Sequence, residues 1–366
     1  MNKRVIDLFA GCGGLSIGFQ KAGFHISKAL EFDQVIASTY KHNHSNVNLF
    51  VDDIQRINIF QSFEPREADI IIGGPPCQGF SMAGARIRNG FIDDSRNYLF
   101  KNYLNIVKRV QPDAFLMENV KGMLTMQNGS IFNEICKVFS NPKMLGGKPY
   151  SLFHKVIHAA DFGIPQKRER LILVGVKRNG VNFQEIWENT KKDLQKSCPS
   201  FFTPVTIADA INNLPPTTKD GVINNPIPLT EYQKYLSTNS PRIYNHTNSN
   251  HSAKAVSRMM QIHNGENYTV LNERIKSVHS GAYGRLCWNE QAPTITTRFD
   301  TPAGGRFIHP DLNRTLSPRE AARIQSFPDS FVFLGDKRSI SRQIGNAVPP
   351  KLAFFLALFI DNILIN

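Results

Sequence analysis

The sequence predicts an α/β protein: a mostly parallel sheet wrapped by helices, a smaller irregular domain, and a C-terminal segment that packs back onto the sheet. Three observations carry this expectation. Short β-rich runs alternate with amphipathic stretches through the first half, the signature of strand–helix–strand units. After about Lys177 the chain turns rich in Asn, Thr, Ser and Pro, and helical periodicity is hard to follow until Pro318. Order then returns, and residues 352–364 form a strongly apolar stretch.

In chain order, residues 5–9 read as the first strand and 15–22 as the helix after it, with glycines at the turn between them. Residues 26–31 read as the second strand. The run 69–73 carries three consecutive isoleucines, which suits a strand buried on both faces. A helix over 98–110 leads into a strand over 114–118, and a helix over 131–139 precedes strands over 153–159 and 171–176. The Asn-rich patches at 211–213 and 245–251 read as loops. A further helix is expected over 318–327. The terminal apolar run is too short to span a bilayer and is interrupted by Asp361, so a buried helix is expected there.

Composition narrows the function. With 41% apolar residues the chain has enough core material for one large domain and a smaller one. Forty-three basic against thirty acidic residues leave a formal charge of +13, which favours a polyanionic partner such as nucleic acid. The five cysteines, Cys12, Cys77, Cys136, Cys198 and Cys287, are odd in number and widely scattered. None has the spacing of a zinc site or a disulfide framework, so no metal and a reducing, cytoplasmic setting are expected. The chain runs straight into its first strand, so no signal peptide is expected.

Two segments carry chemistry. "DLFAGCGG", residues 7–14, joins a strand to a helix, where glycines let backbone amides approach a ligand at a helix N-terminus. It is neither a Walker A loop nor a GxGxxG fingerprint. Glu31 ends the next strand, the place from which an acid hydrogen-bonds a ribose. Asp53, directly before Ile54, suits an adenine amino group, although Asp52 offers the same chemistry. "GGPPCQGFS", residues 73–81, sets Cys77 on a proline-flanked loop at the carboxyl end of a strand, where open α/β sheets build their sites. A free cysteine is ordinarily a small buried hydrophobe. Prolines and glycines on both sides instead position a backbone, which makes Cys77 a candidate nucleophile.

These two segments, with "MENV", "QKRERL", "REAARIQSFPD" and "QIGNAVPP", resemble the ordered signature motifs of the cytosine-5 DNA methyltransferases, from Asp7 to Pro350. The resemblance implies an S-adenosylmethionine-dependent methyltransferase (Rossmann-like) sheet domain over residues 1–180 and 338–366. It implies a target-recognition domain and hinge over 181–337, the weakly matching part being 181–314. On the matching positions, Cys77 is the nucleophile toward carbon 6 of cytosine, Glu118 the acid at ring nitrogen 3, and Arg168 and Arg170 the arginines that hold the flipped base and its backbone. Phe9, Gly11, Gly14, Glu31, Asp53, Ile54 and Pro75 fall where the family binds S-adenosylmethionine, and Asn346 and Val348 complete that site from the far end of the chain. Gln78 and Ser81 fall on the loop that closes over DNA.

The implied activity is DNA (cytosine-5-)-methyltransferase, with S-adenosylhomocysteine as product, double-stranded DNA as partner, a monomeric state, and a cognate restriction endonuclease sharing the target sequence. Addition of a thiolate at carbon 6 makes carbon 5 nucleophilic, and a cytosine must leave the duplex stack to be reached. Arg86, Arg88 and Arg96, among glycines after Cys77, suit a lid over a phosphate backbone. Residues 280–306 hold Arg285, Arg298 and Arg306 with "APTITT". Arginines there suit reading guanine edges in the major groove, with Arg285 and Arg298 as candidates and none of the three singled out. Three rivals fit less well. A transfer-RNA methylase of similar body would differ after the Pro-Pro-Cys-Gln, an idle DNA-binding protein would not need Cys77, Glu118 and Arg168 together, and a dehydrogenase lacks its glycine fingerprint.

Overall fold

The computed structural model describes residues 3–76, 98–237, 240–273, 275 and 280–365. In chain order the strands of the main sheet are β1 (Arg4–Leu8), β2 (His25–Glu31), β3 (Asn48–Val51), β4 (Ile70–Gly73), β5 (Ala114–Val120) and β6 (Ser151–His158), followed by the two-residue β7 (Gln166–Lys167) outside the sheet, and then β8 (Glu169–Val176). They lie in the order β3-β2-β1-β4-β5-β8-β6. β8 runs antiparallel to both of its neighbours, and the other pairs are parallel. Strand order reverses between β1 and β4, and crevices at such a switch point are where open α/β sheets bind ligands.

Helices α1 (Gly14–Lys21), α2 (Gln34–Asn43), α3 (Ile59–Ser62), α4 (Tyr98–Val110), α5 (Ser130–Ser140) and α6 (Pro142–Leu145) connect the strands. The isoleucine run of β4 divides its side chains between two cores. Ile70 and Ile72 join Val5, Ile26 and Val174 on one face, and Ile71 joins Leu8, Phe115 and Leu173 on the other. The second face is covered by α4 and α5 through residues such as Tyr103, Val107, Ile135 and Phe139.

The first face is covered by α1 and by two later helices, α7 (Phe183–Ser197) and the apolar C-terminal one. α7 is a correction to the sequence reading, which expected irregular chain after Lys177. It buries Trp187, Thr190 and Leu194, at i, i+3 and i+7, onto the sheet, so this stretch belongs with the first domain's core.

The remaining elements are short: α8 (Ile207–Ile211), β9 (Ile223–Asn224), α9 (Glu231–Leu236), β10 (Arg242–Ile243), α10 (Ala253–Met259), β11 (Ala292–Pro293), α11 (Pro318–Ile324), α12 (Lys337–Asn346) and α13 (Pro350–Ile365). The helix expected over 318–327 therefore stops at Ile324, because Ser326 takes a left-handed backbone at φ 64°. Around α8, α9 and α11 a separate core gathers Ile207, Leu236, Phe299, Phe307, Leu316 and Phe327. β11 pairs with β7 and so ties this half to the sheet half beside the catalytic motifs. Within residues 337–365 an 18-residue stretch is apolar enough for a membrane span by composition, yet 67% of it is buried inside the protein, with α13 packed on α1 and α7 as a core helix.

Candidate active site and cofactor pocket

The carboxyl ends of β1, β2 and β4 open on one crevice. At the end of β1 the chain turns sharply, with Phe9 itself in the left-handed region at φ 59°. Strain of that kind persists only where surrounding structure enforces it, often at a ligand site. The glycines that follow have two distinct reasons to be glycine. Gly13 sits at φ 97° and a Cβ there would lie 2.3 Å from His44 Nε2, while a Cβ on Gly14 would lie 2.3 Å from the Val348 carbonyl oxygen. Gly13 precedes α1 without a side-chain cap, which leaves helix N–H groups for a ligand. The contact at Gly14 brings the "GNAVPP" segment, with exposed Asn346 and buried Val348, against the glycine turn.

Glu31 fastens this turn. Its Oε2 accepts from Gly11 N and its Oε1 from Asp33 N, both at 2.9 Å. Burial pushes its carboxyl above the ordinary range. A cavity of about 180 Å³ lies beside it, walled by Phe9, Phe32, Ile54, Pro76 and Leu99 and edged by Glu31, Asp52 and Asp53. Phe32 is 65% exposed, an unusual position for a phenyl ring unless a flat partner covers it. Asp53 Oδ1 is engaged by Gln55 N at 3.0 Å in a local turn. Asp52 lines the same cavity, so both carboxylates weighed from sequence reach it.

Beneath the turn, Asp7 is fully buried. Its Oδ2 accepts from the Ser16 hydroxyl at 2.6 Å, and the Ser16 oxygen lies 2.8 Å from the Tyr40 hydroxyl. Asp7 Oδ1 has no partner. Burial pushes the Asp7 carboxyl up to about 7, partly opposed by the Ser16 hydrogen bond and reinforced by Glu31. An aromatic-walled cavity, free helix amides and buried carboxylates lacking a cation fit a flat-ringed, positively charged ligand such as S-adenosylmethionine.

The catalytic side is built by β4, β5 and β8. Asn119 donates from Nδ2 to the Pro75 carbonyl at 2.9 Å, holding the start of the Pro-Pro-Cys loop against β5. The antiparallel register sets Glu118 opposite Ile172 and Val120 opposite Arg170, so Glu118 and Arg170 are diagonal neighbours on one face. Arg170 Nε lies 2.8 Å from Glu118 Oε1, with both side chains largely buried. Arg168 takes a different place from the one expected. Only 1% exposed, it donates to the carbonyls of Ile295, Gly345 and Ala347 at 3.0–3.3 Å, while its Nε has no partner. Burial, and then Arg170, bring its guanidinium down to about 9. Arg168 thus fastens both far segments to the site instead of facing a base.

Arg285 is likewise corrected. It is buried and donates to the carbonyls of Met259, Ile262, His309 and Leu312 and to Asn313 Oδ1, at 2.6–3.0 Å, leaving nothing to read a guanine. Arg298 is exposed on the loop that continues from Ile295 past Arg168. Cys77, Gln78, Ser81, Arg86, Arg88 and Arg96 lie outside the described residues. Among the described residues no cluster of three or more His, Cys, Asp or Glu could hold a metal. Sequence reasoning missed Phe32, Pro76 and Leu99 in the cavity wall. Phe32, directly after Glu31, is the one whose position after a strand end was readable.

Comparison with known proteins agrees with this geometry. Residues 3–361 match the family described as C-5 cytosine-specific DNA methylase. The type II methyltransferase M1.HphI of Haemophilus parahaemolyticus is 35% identical over 98% of this chain and 86% of its own. M.DdeI of Desulfomicrobium norvegicum is 34% identical over 96% of this chain and 87% of its own. A crystal structure of a putative DNA modification methyltransferase encoded within an E. coli prophage superposes with a TM-score of 0.75 at 28% identity, over the full length of both chains. The chain belongs to the C-5 cytosine-specific DNA methylases: it is an S-adenosylmethionine-dependent enzyme that methylates carbon 5 of a cytosine flipped out of DNA.

Proposed function

We propose that this enzyme methylates one cytosine within a specific double-stranded sequence, as the modification half of a restriction-modification system, through a covalent adduct on Cys77. The observation that carries this reading is the meeting of three features at one sheet edge. The Pro75 carbonyl is pinned by Asn119, Glu118 is paired with Arg170 one strand away, and the aromatic cavity opens beside them. The names of the two type II relatives support the modification role.

In this reading the Cys77 thiolate adds to carbon 6, and Glu118 gives a proton or strong hydrogen bond to nitrogen 3 as electron density builds on the ring. Arg170 orients Glu118 and lies where it meets the base. S-adenosylmethionine, held by Phe9, Gly11, Gly14, Glu31, Phe32, Asp53, Ile54, Pro75, Asn346 and Val348, supplies the electrophilic methyl group. Loss of the carbon-5 proton to a base then expels the thiolate. Gln78, Ser81, Arg86, Arg88 and Arg96 hold the DNA near the site, with Arg298 at its recognition side.

Target recognition is assigned to residues 181–337 apart from α7, which packs on the sheet, with 1–180 and 338–366 forming the catalytic domain. The enzyme acts as a monomer in the cytoplasm, and its endonuclease shares the target without binding it. Bisulfite sequencing of DNA from cells expressing the protein tests this, and methylation at a single sequence context is the expected result. Cys77→Ala lowers turnover at least about 10³-fold while DNA binding survives, since affinity comes chiefly from phosphate contacts. Substantial turnover by that variant overturns the nucleophile assignment.

A further inference from the structure

The glycine turn has two acids beneath it and no cation among the described groups that face them. Asp7, on β1, is two residues before Phe9 of the cavity. It accepts from Ser16 of α1, whose hydroxyl also meets Tyr40 of α2. It interacts electrostatically with Tyr40, with Glu31 at the end of β2, with Cys12 of the turn and, more distantly, with Tyr103 of α4, while His44, just past α2, packs on Tyr40. None of these is a cation. His44 is held neutral, since burial brings it down to about 4, and its Nδ1 lies 2.9 Å from Gln20 Oε1. One Asp7 oxygen accepts from the Ser16 hydroxyl, the Ser16 backbone N–H also favours the carboxylate, and the other oxygen has no hydrogen-bond partner. A carboxylate left so is costly, and a buried acid in this position keeps its proton until a positive charge arrives.

The ligand of the adjacent cavity brings such a charge. S-adenosylmethionine is a sulfonium with net charge +1, and S-adenosylhomocysteine, formed when the methyl leaves, carries none. We propose that Asp7 holds a proton in the free enzyme, releases it to solvent when the sulfonium form binds over the glycine turn, and takes one back once the neutral thioether remains. This rests on the cofactor lying in the Phe9–Phe32 cavity. The carboxylate formed on binding is then a fixed counter-charge that favours the methyl donor over its product. The proton balance is one O–H bond broken at Asp7 on binding and one formed after transfer.

Titration calorimetry of the whole enzyme at pH 7, in two buffers of different ionisation enthalpy, reads the proton directly. Since burial sets Asp7 at about 7, S-adenosylmethionine should release roughly half a proton per site and S-adenosylhomocysteine close to none. An analogue with an ammonium group in place of the sulfonium should behave like the methyl donor. Below pH 7 the donor's Kd should weaken, by up to about tenfold per pH unit, while the product's stays flat. Asp7→Asn should abolish the release and narrow the preference for donor over product. Ser16→Ala, which removes the hydrogen bond that lowers Asp7, should move the release to higher pH. Equal proton release by donor and product, or donor binding with none, overturns the inference and leaves the cavity assignment standing. Failure of the donor to bind the wild type overturns both.

Discussion

The two halves of the molecule differ in how they use buried charge. In the sheet half the backbone satisfies itself through strands and helices, and Asp7 Oδ1, His44 Nε2 and Arg168 Nε are left without partners around the site. Between Ser197 and α12 the elements are short, and irregular backbone leaves carbonyls that strands would have paired. Arginine fills that gap. Arg319 serves the carbonyls of Tyr244, Pro328 and Phe331, and Arg285 serves four others. Arg323 grips Asp329 with two nitrogens at 2.8 and 2.9 Å, and Arg314 grips Glu320 at 2.7 and 2.8 Å. Buried arginine is therefore architectural in both halves, at Arg168 as at Arg285 and Arg319, whereas the buried acids Asp7 and Glu31 beneath the glycine turn have no basic partner among the described groups.

The sharpest way to break this comparison is to unpair an architectural charge. Arg323 and Asp329 are each 1% exposed, and Arg323 also holds the Ala210 carbonyl and Asn213. Arg323→Ala should cost about 3–5 kcal/mol, because it strands a buried carboxylate. Urea unfolding of the variant measures this, and a loss below about 1 kcal/mol would show the network to be dispensable.

Acid should separate the halves. Beyond Ser197, burial holds His246, His251 and His309 below their usual range. Burial would raise Glu320, but Arg314, His309 and His246 bring it down to about 2. Each of these contributes stability that is lost on acidification: the histidines as pH falls below about 6.5, Glu320 as it falls from about 4.5 towards 2. Among the described groups Asp300, raised by burial, pulls the other way. In the sheet half His44 also loses stability between about 6.5 and 4, but Asp7 is raised to about 7 and its contribution grows as pH falls from there. Glu31, also raised by burial, acts in the same direction. The two tryptophans report one half each. Trp187 packs on the sheet, and Trp288 donates to Asp311 at 2.9 Å. In single-tryptophan variants the Trp288 signal should change at higher pH than that of Trp187, and coincident transitions would sink the distinction.

The same contrast explains what the sequence made legible. The isoleucines of β4 announce a doubly covered strand because burial on two faces leaves no polar position. α7 was hidden because its helical spacing is carried by only Trp187, Thr190 and Leu194 within a polar stretch. β3 went unread since its residues Asn48–Val51 are only partly buried and show little pattern. The Glu118–Arg170 pair depends on the register between β5 and β8, which no local pattern encodes. The arginines were misread for a physical reason: a lone charge in sequence suggests solvent or phosphate, whereas carbonyls spread from residue 259 to 312 enclose Arg285.

Exposure then sorts the arginines of the recognition side. Arg298→Ala should cost about 1–3 kcal/mol of discrimination at one base position and little stability. Arg285→Ala should instead lower stability and leave the sequence preference of the folded fraction unchanged. Methylation rates across single-base variants of the target, beside urea unfolding, separate the two. A specificity change in the Arg285 variant would return it to the DNA surface.

The smallest expected effect lies at Phe32. Its ring is 65% exposed, so truncation removes little from the core, and Phe32→Ala should leave unfolding within about 0.5 kcal/mol of wild type. Against a flat ligand ring in the cavity, however, a stacked phenyl contributes about 0.5–1.5 kcal/mol. The variant should therefore bind both S-adenosylmethionine and S-adenosylhomocysteine about 2–13-fold more weakly, by the same factor, because the stacked ring is common to both. That equality sets Phe32 apart from Asp7, whose loss should weaken the donor and spare the product. If Phe32→Ala shifted the two ligands unequally, the ring would be sensing the sulfonium instead of the flat base, and the division between shape and charge in this pocket would have to be redrawn.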